Sequence, residues 1–212
     1  MRTISLFIVL VAVACSPAAT PASTTSPTGS TSAVASSVAP ASTAGGASSA
    51  GLACNAPAQP LVELTEGPFY KAGAPQRSSL VASGVAGTPL VLTGYVVTRS
   101  CKSVAGAKLD FWQADGNGNY DNAGYTLRGW QLTAADGSYR LDTVIPGLYP
   151  GRTEHIHFKV SGSDGKSYTS QLFFPGITQN ESDGIFNSRM LVTLDTTKKP
   201  AAATYTFVLD IP

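Results

Sequence analysis

The chain has 212 residues, with 14 Lys and Arg against 13 Asp and Glu, and a net charge of +1. Its basic residues form no run or block, which argues against nucleic acid as a partner. With only three cysteines and two histidines, the placing of each one carries information.

Residues 3–14, TISLFIVLVAVA, are an apolar run behind Arg2. The run is short for a bilayer span, and its small-residue ending reads as a secretory signal peptide over residues 1–15. Its close, VAVAC, resembles a bacterial lipobox, with Cys15 as the lipidated residue; Ala12 stands where Leu is usual. A lipoprotein and a plainly secreted chain are the two readings, and export is common to both. Residues 16–51 are almost wholly Ser, Thr, Ala, Pro and Gly, without charge or aromatic rings. Such a segment cannot bury enough apolar surface to offset its ordering entropy, so a disordered tether, open to glycosylation, is expected. No second long apolar segment follows, so membrane contact is expected only through a lipid at Cys15.

From about Leu52 the composition changes: every acid and every aromatic residue except Phe7 lies beyond it. Residues 52–212 are enough for one domain with its own core. Cys54 and Cys101 both fall within it, and in an exported chain such a pair suggests a disulfide. Strands are expected at 89–97, 107–114, 139–145, 155–162, 168–174, 189–195 and 205–211, each rich in Val, Thr, Leu and aromatics. AADGS at 134–138 and GSDGK at 162–166 are Asp-Gly hairpin signals. In the last segment Tyr205, Phe207, Leu209 and Ile211 alternate onto one face. No helical periodicity of useful length intervenes. The fold class expected is all-β, an antiparallel β-sandwich.

Both histidines stand in YPGRTEHIHFKV, residues 149–160. On a strand, His155 and His157 project to the same face with Ile156 opposite. The pair reads either as alternate polar positions of a surface strand or as two imidazole ligands of a metal. Two imidazoles cannot complete a transition-metal site, and what flanks them is tyrosine: Tyr149 in PGLYPGR and Tyr120 in DGNGNYDN. A phenolate is a hard anionic donor, suited to Fe(III) more than to Zn(II) or Cu(I). The DGNGNYDN loop faintly mimics a calcium loop, but Tyr120 stands where the sharp-turn Gly is needed and no Glu closes it.

LTEGPFY (64–70), GAKLDFWQADGNGNY (106–120), LRGWQLTAADGSYRLDTVIPGLYPGRTEHIHFKV (127–160) and SQLFF (170–174) together resemble the intradiol ring-cleavage dioxygenases. That family includes catechol 1,2-dioxygenase and protocatechuate 3,4-dioxygenase. The resemblance covers nearly the whole expected domain. It implies Tyr120, Tyr149, His155 and His157 as ligands of a non-haem Fe(III). It implies Arg152 as the charge beside the substrate ring, Gln171 as an active-site amide, and Trp112 as an aromatic wall of the substrate pocket. Tyr149 is implied as the tyrosinate that a catechol displaces. The reaction implied is cleavage of a small aromatic diol by O2 between its hydroxyl-bearing carbons, giving a cis,cis-muconate. Catechol 1,2-dioxygenases carry a helical dimerisation region where this chain has its tether, so the domain is closer to the bare protocatechuate-type core; a homo-oligomer is compatible with it. Two other readings belong to different classes: an exported β-sandwich binding module without ring cleavage, and an envelope copper-binding protein using His155 and His157.

Overall fold

The structure is a computed structural model that describes residues 54–56 and 58–211. The expected signal peptide, Cys15 and the tether of 16–51 lie outside the described residues. Among the described residues are nine strands: β1 Pro89–Thr98, β2 Lys108–Gln113, β3 Arg128–Leu132, β4 Ser138–Val144, β5 His155–Ser161, β6 Ser167–Phe173, β7 Thr193–Asp195, β8 Ala201–Thr204 and β9 Phe207–Leu209. Two short 3-10 turns, Thr178–Glu181 and Ser188–Met190, lie between β6 and β7.

The strands form two sheets, one ordered β4-β1-β8-β7 with β9 also on β1, the other β3-β2-β5-β6. The sandwich expected from the sequence is present, and the second sheet is antiparallel throughout. In the first sheet β1 also pairs in parallel, first with β8 and then with β9. Gly94 lies at that change of partner. A Cβ there would meet the carbonyl oxygen of Tyr205 at 1.8 Å, so only glycine lets the crossing backbone approach.

The core lies between the sheets. Leu90, Leu92 and Val96 of β1 and Leu141 of β4 are buried against Leu109, Phe111, Ile156, Phe158 and Val160 of the other sheet. Phe207 on β9 joins the two layers, with ring centroids 4.6 Å from Phe158 and 5.2 Å from Tyr139. Tyr139 donates its hydroxyl to the Tyr205 carbonyl at 2.9 Å, so its polar tip is satisfied inside the apolar cluster.

Strands β3 and β8 were not among those read in the sequence, and the turns agree with that reading only in part. The 162–166 turn does join the paired strands β5 and β6. The 134–138 turn instead joins β3 to β4, which belong to different sheets; it is a corner of the sandwich, not a hairpin. Residues 188–190 form a 3-10 turn, so the strand expected from 189 begins only at Thr193.

Cys54 and Cys101 are joined, with Cα atoms 5.8 Å apart across 47 positions of chain. The bond ties the start of the described chain to the turn after β1.

Candidate metal centre

The alternation of β5 separates structure from chemistry. Ile156, Phe158 and Val160 face the core, leaving His155, His157 and Lys159 on the outer face of the second sheet. Cross-strand register places Trp112 of β2 on one side of His157 and Gln171 of β6 on the other. This outer face is covered by the chain before β1. Leu64 donates its backbone N–H to Thr169, and Gln171 donates Nε2 to the Thr65 carbonyl at 2.8 Å. At Gly67, where φ is +72°, a Cβ would sit 3.2 Å from Cε1 of His157. The covering strand therefore passes over the imidazole, and both histidines are buried.

His155 holds its Nδ1 2.6 Å from the Thr153 carbonyl. That contact requires a proton on Nδ1 and leaves the Nε2 lone pair free, as ligand histidines are commonly oriented. The two Nε2 atoms are 3.1 Å apart, a spacing at which both can bond one ion at metal–nitrogen lengths of about 2 Å. Burial pushes the His155 pKa down to about 4, with Arg152 adding to the effect. Burial also holds His157 well below the ordinary range, helped by His155, Arg152 and Arg128. Both rings are thus neutral donors at physiological pH.

Tyr149 enters through a tight turn. Pro150 and Gly151, the latter at φ +78°, lead to a hydrogen bond from Arg152 N–H to the Tyr149 carbonyl at 3.0 Å. Proline followed by a positive-φ glycine is the pattern of a type II turn. It sets the two side chains together: Arg152 Nη1 donates to the Tyr149 hydroxyl at 3.2 Å. The Tyr149 ring lies 5.5 Å from His155, centroid to centroid.

Tyr120 arrives on the loop between β2 and β3. The Asp115 carboxylate accepts the backbone N–H groups of Asn117 and Asn119, each at 2.9 Å, and so closes that loop on itself. The loop docks on the segment carrying Tyr149: Gly147 N–H donates to Asp115, and a Cβ on Gly118 would lie 2.0 Å from the Leu148 carbonyl oxygen. The Tyr120 ring stacks on Phe69 at 4.2 Å and stands 5.8 Å from Tyr149 and 6.3 Å from His157. Its hydroxyl is buried without a hydrogen-bond partner. Burial pushes its pKa up, as does Tyr149, while Arg152 and Arg128 oppose the rise. A phenol left unsatisfied inside a protein is costly, and a bound cation would reverse that cost by favouring the phenolate.

These residues fit a metal. Two neutral imidazoles and two phenols converge, and among the described residues no group of three His, Cys, Asp or Glu competes for it. The donor chemistry suits a ferric ion.

Of the other residues expected at the site, Arg152 and Gln171 are joined directly, with Arg152 Nη2 donating to Gln171 Oε1. Trp112 lies flat on His157, with centroids 4.9 Å apart and planes within 6°. At 1% exposure it packs against His157 and is not among the residues that line the cavity bordered by Tyr149 and Arg152.

Two residues had no signal in the sequence. The Asp183 carboxylate accepts from Arg152 Nε and from the Thr153 backbone N–H, each at 2.9 Å. Arg128, 2% exposed, donates to the carbonyls of Asp121 and Phe69 and lies 5.8 Å from the Tyr120 ring. It ties the Tyr120 loop to the covering segment that carries Phe69. Asp183 sits in a loop 31 positions from Arg152, and Arg128 in the plain stretch LRGWQ; neither position shows its partners in one dimension.

The model of the family described as Dioxygenase matches residues 65–211. The dioxygenase domain of a dioxygenase–carbohydrate-binding protein fusion from the cellulolytic bacterium Streptomyces sp. SirexAA-E is similar at 45% identity and a TM-score of 0.70, over 73% of this chain and 100% of that one. An intradiol ring-cleavage dioxygenase from Tetranychus urticae is similar at 25% identity and a TM-score of 0.64, over 70% of this chain and 92% of that one. A 6-chlorohydroxyquinol 1,2-dioxygenase from Cupriavidus pinatubonensis is 28% identical over 58% of this chain and 54% of its own length. The chain spans about half the length of the first curated relatives it matches. With the family match extending over the site and both sheets, the chain belongs to the intradiol ring-cleavage dioxygenase family.

Proposed function

We propose that this protein is a non-haem Fe(III) dioxygenase that opens a catechol ring between its two hydroxyl-bearing carbons with O2, giving a cis,cis-muconate-type product. The observation that carries this reading is the convergence of Tyr120, Tyr149, His155 and His157 beside a fixed Arg152. Names of relatives such as 6-chlorohydroxyquinol 1,2-dioxygenase and catechol 1,2-dioxygenase agree with it.

Fe(III) bound there supplies Lewis-acid and electron-accepting character to a chelated diol. The residues do the rest. His155 and His157 donate through Nε2. Tyr120, stacked on Phe69 and docked through its loop, is the ligand held in place. Tyr149, on the turn that brings Arg152, would be the tyrosinate that yields to a diol, with its Oη placed to take a diol proton. Arg152 offers a preorganised positive charge where negative charge develops on the ring. Gln171 and Asp183 hold the guanidinium in that position. Phe69 and Trp112 exclude water around Tyr120 and His157.

Metal analysis of purified protein should find one ferric ion per domain, with red-brown colour from tyrosinate-to-iron charge transfer. Tyr120→Phe should lose most of the iron. The product from catechol, followed by NMR, should be the muconate. A colourless protein without iron after reconstitution, or a semialdehyde product, overturns the reading.

We further infer export, with Cys15 as the lipid-bearing residue. The Cys54–Cys101 disulfide supports export, because such bonds persist in oxidising compartments.

A further inference from the structure

Charge around the site bears on which catechols can enter, granted the ring-cleavage reading on which this inference rests. Tyr149 and Arg152 line a cavity of about 620 Å³ together with Leu148, Pro150, Gln179 and Ser182, a size usual for small-molecule sites. Arg152 is the one charged residue among these six, and its charge is already matched. Its Nε lies 2.9 Å from Asp183, whose side chain is only 2% exposed. Its Nη1 is given to Tyr149 and its Nη2 to Gln171. Each nitrogen is thus held by a partner, and Asp183 offsets the charge toward groups more distant than the ring that Arg152 faces.

The two segments that wall the cavity repeat this imbalance. Residues 145–154 and 175–187 contain Arg152 as their only Lys or Arg, against Glu154, Glu181 and Asp183. Glu181 is exposed and belongs to the 3-10 turn that also presents Gln179. A carboxylate on a ring substituent in this cavity would give up its hydration, find no lining cation but the paired Arg152, and lie near the exposed Glu181. An uncharged substituent would meet none of these costs. The exposed amide of Gln179 can donate and accept hydrogen bonds, and the Ser182 hydroxyl, which donates to the Gln179 carbonyl at 3.3 Å, can accept one.

We propose that this cavity selects catechols with uncharged ring substituents, such as a third hydroxyl placed toward Gln179 and Ser182, and rejects those bearing a ring carboxylate.

The test compares catechol, hydroxyquinol and protocatechuate with the iron-loaded full chain. Dissociation constants come from anaerobic absorption titrations, and kcat/KM from ring opening in air. Protocatechuate should bind at least about 10-fold more weakly than the two uncharged diols, the discrimination expected from like-charge juxtaposition. Glu181→Lys should narrow that gap severalfold by tightening protocatechuate, and Gln179→Arg should narrow it further. Protocatechuate bound as tightly as catechol overturns the proposal, as does a gap that neither charge variant moves. Those outcomes leave the ring-cleavage reading intact if the diols are cleaved. A protein that binds and cleaves none of the three overturns both.

Discussion

Arg152 differs in kind from the four proposed ligand side chains beside it. A guanidinium stays protonated and has no lone pair to give, so its replacement should separate metal binding from chemistry. Arg152→Leu should keep the iron and the colour, and catechol should still chelate. Ring opening should slow by about 10²-fold or more, the scale for removing one preorganised charge from a dry site. Stopped-flow absorption reads chelation and ring opening as separate phases; a variant that turns over at the wild-type rate would reduce Arg152 to a rim charge. The proposed ligands and Arg152 were legible in the sequence through the family resemblance, because all five fall in two short motifs, DGNGNY and YPGRTEHIH. Asp183 was not. Its carboxylate acts on Arg152 and Thr153 only because the loop after β6 folds back over the turn that precedes β5.

At the scale of the element, β5 is where core and site are divided by a two-residue period, and it carries a titration that opposes folding in acid. Burial holds the His155 pKa near 4, against 6.5 for an ordinary imidazole, and His157 is depressed in the same direction. The unfolded chain therefore binds protons that the folded chain refuses between those values. Stability from this source is complete above about pH 6.5 and declines as pH falls toward 4. Urea unfolding of the iron-free protein should show a midpoint that drops between pH 7 and 5, with a loss on the order of 2–3 kcal/mol. A midpoint flat across that range would contradict the burial of neutral histidines. Elsewhere local pattern was a poorer guide. Ala201–Thr204 has little β propensity, yet it is strand β8 because Ala201 and Ala203 are small enough to be buried while the backbone pairs with β1.

For the molecule as a whole, the disulfide and the tandem pairing of β8 and β9 on β1 decide how the ends of the domain are held. Cys54–Cys101 closes a loop spanning 47 positions, which should stabilise the fold by about 2–4 kcal/mol through restriction of the unfolded chain. The Cys54→Ser, Cys101→Ser double variant should fold with a correspondingly lower melting temperature and unchanged iron content. Alkylation of wild-type protein before reduction should label neither thiol. Equal stability of the two proteins would show that the segment from Ala58 to Leu64, hydrogen-bonded to Arg99, Val208 and Thr169, is anchored well enough without the bond.

By itself the sequence determined the class of fold and the family, and through that resemblance it pointed to the candidate metal donors. Alternation, turn residues and the order of the Tyr and His motifs are local properties, and they survive being read along a line. Only the tertiary structure decided what surrounds those donors. It showed that the Asp-Gly turn at 134–138 is a corner between sheets, that Trp112 backs His157, and that Asp183 pairs with and fixes Arg152 beside the cavity. Each of these is a contact between segments brought together by the packing of two sheets and the loops over them. Such contacts depend on register, burial and the path of the covering chain, none of which has a signature in the spacing of residues.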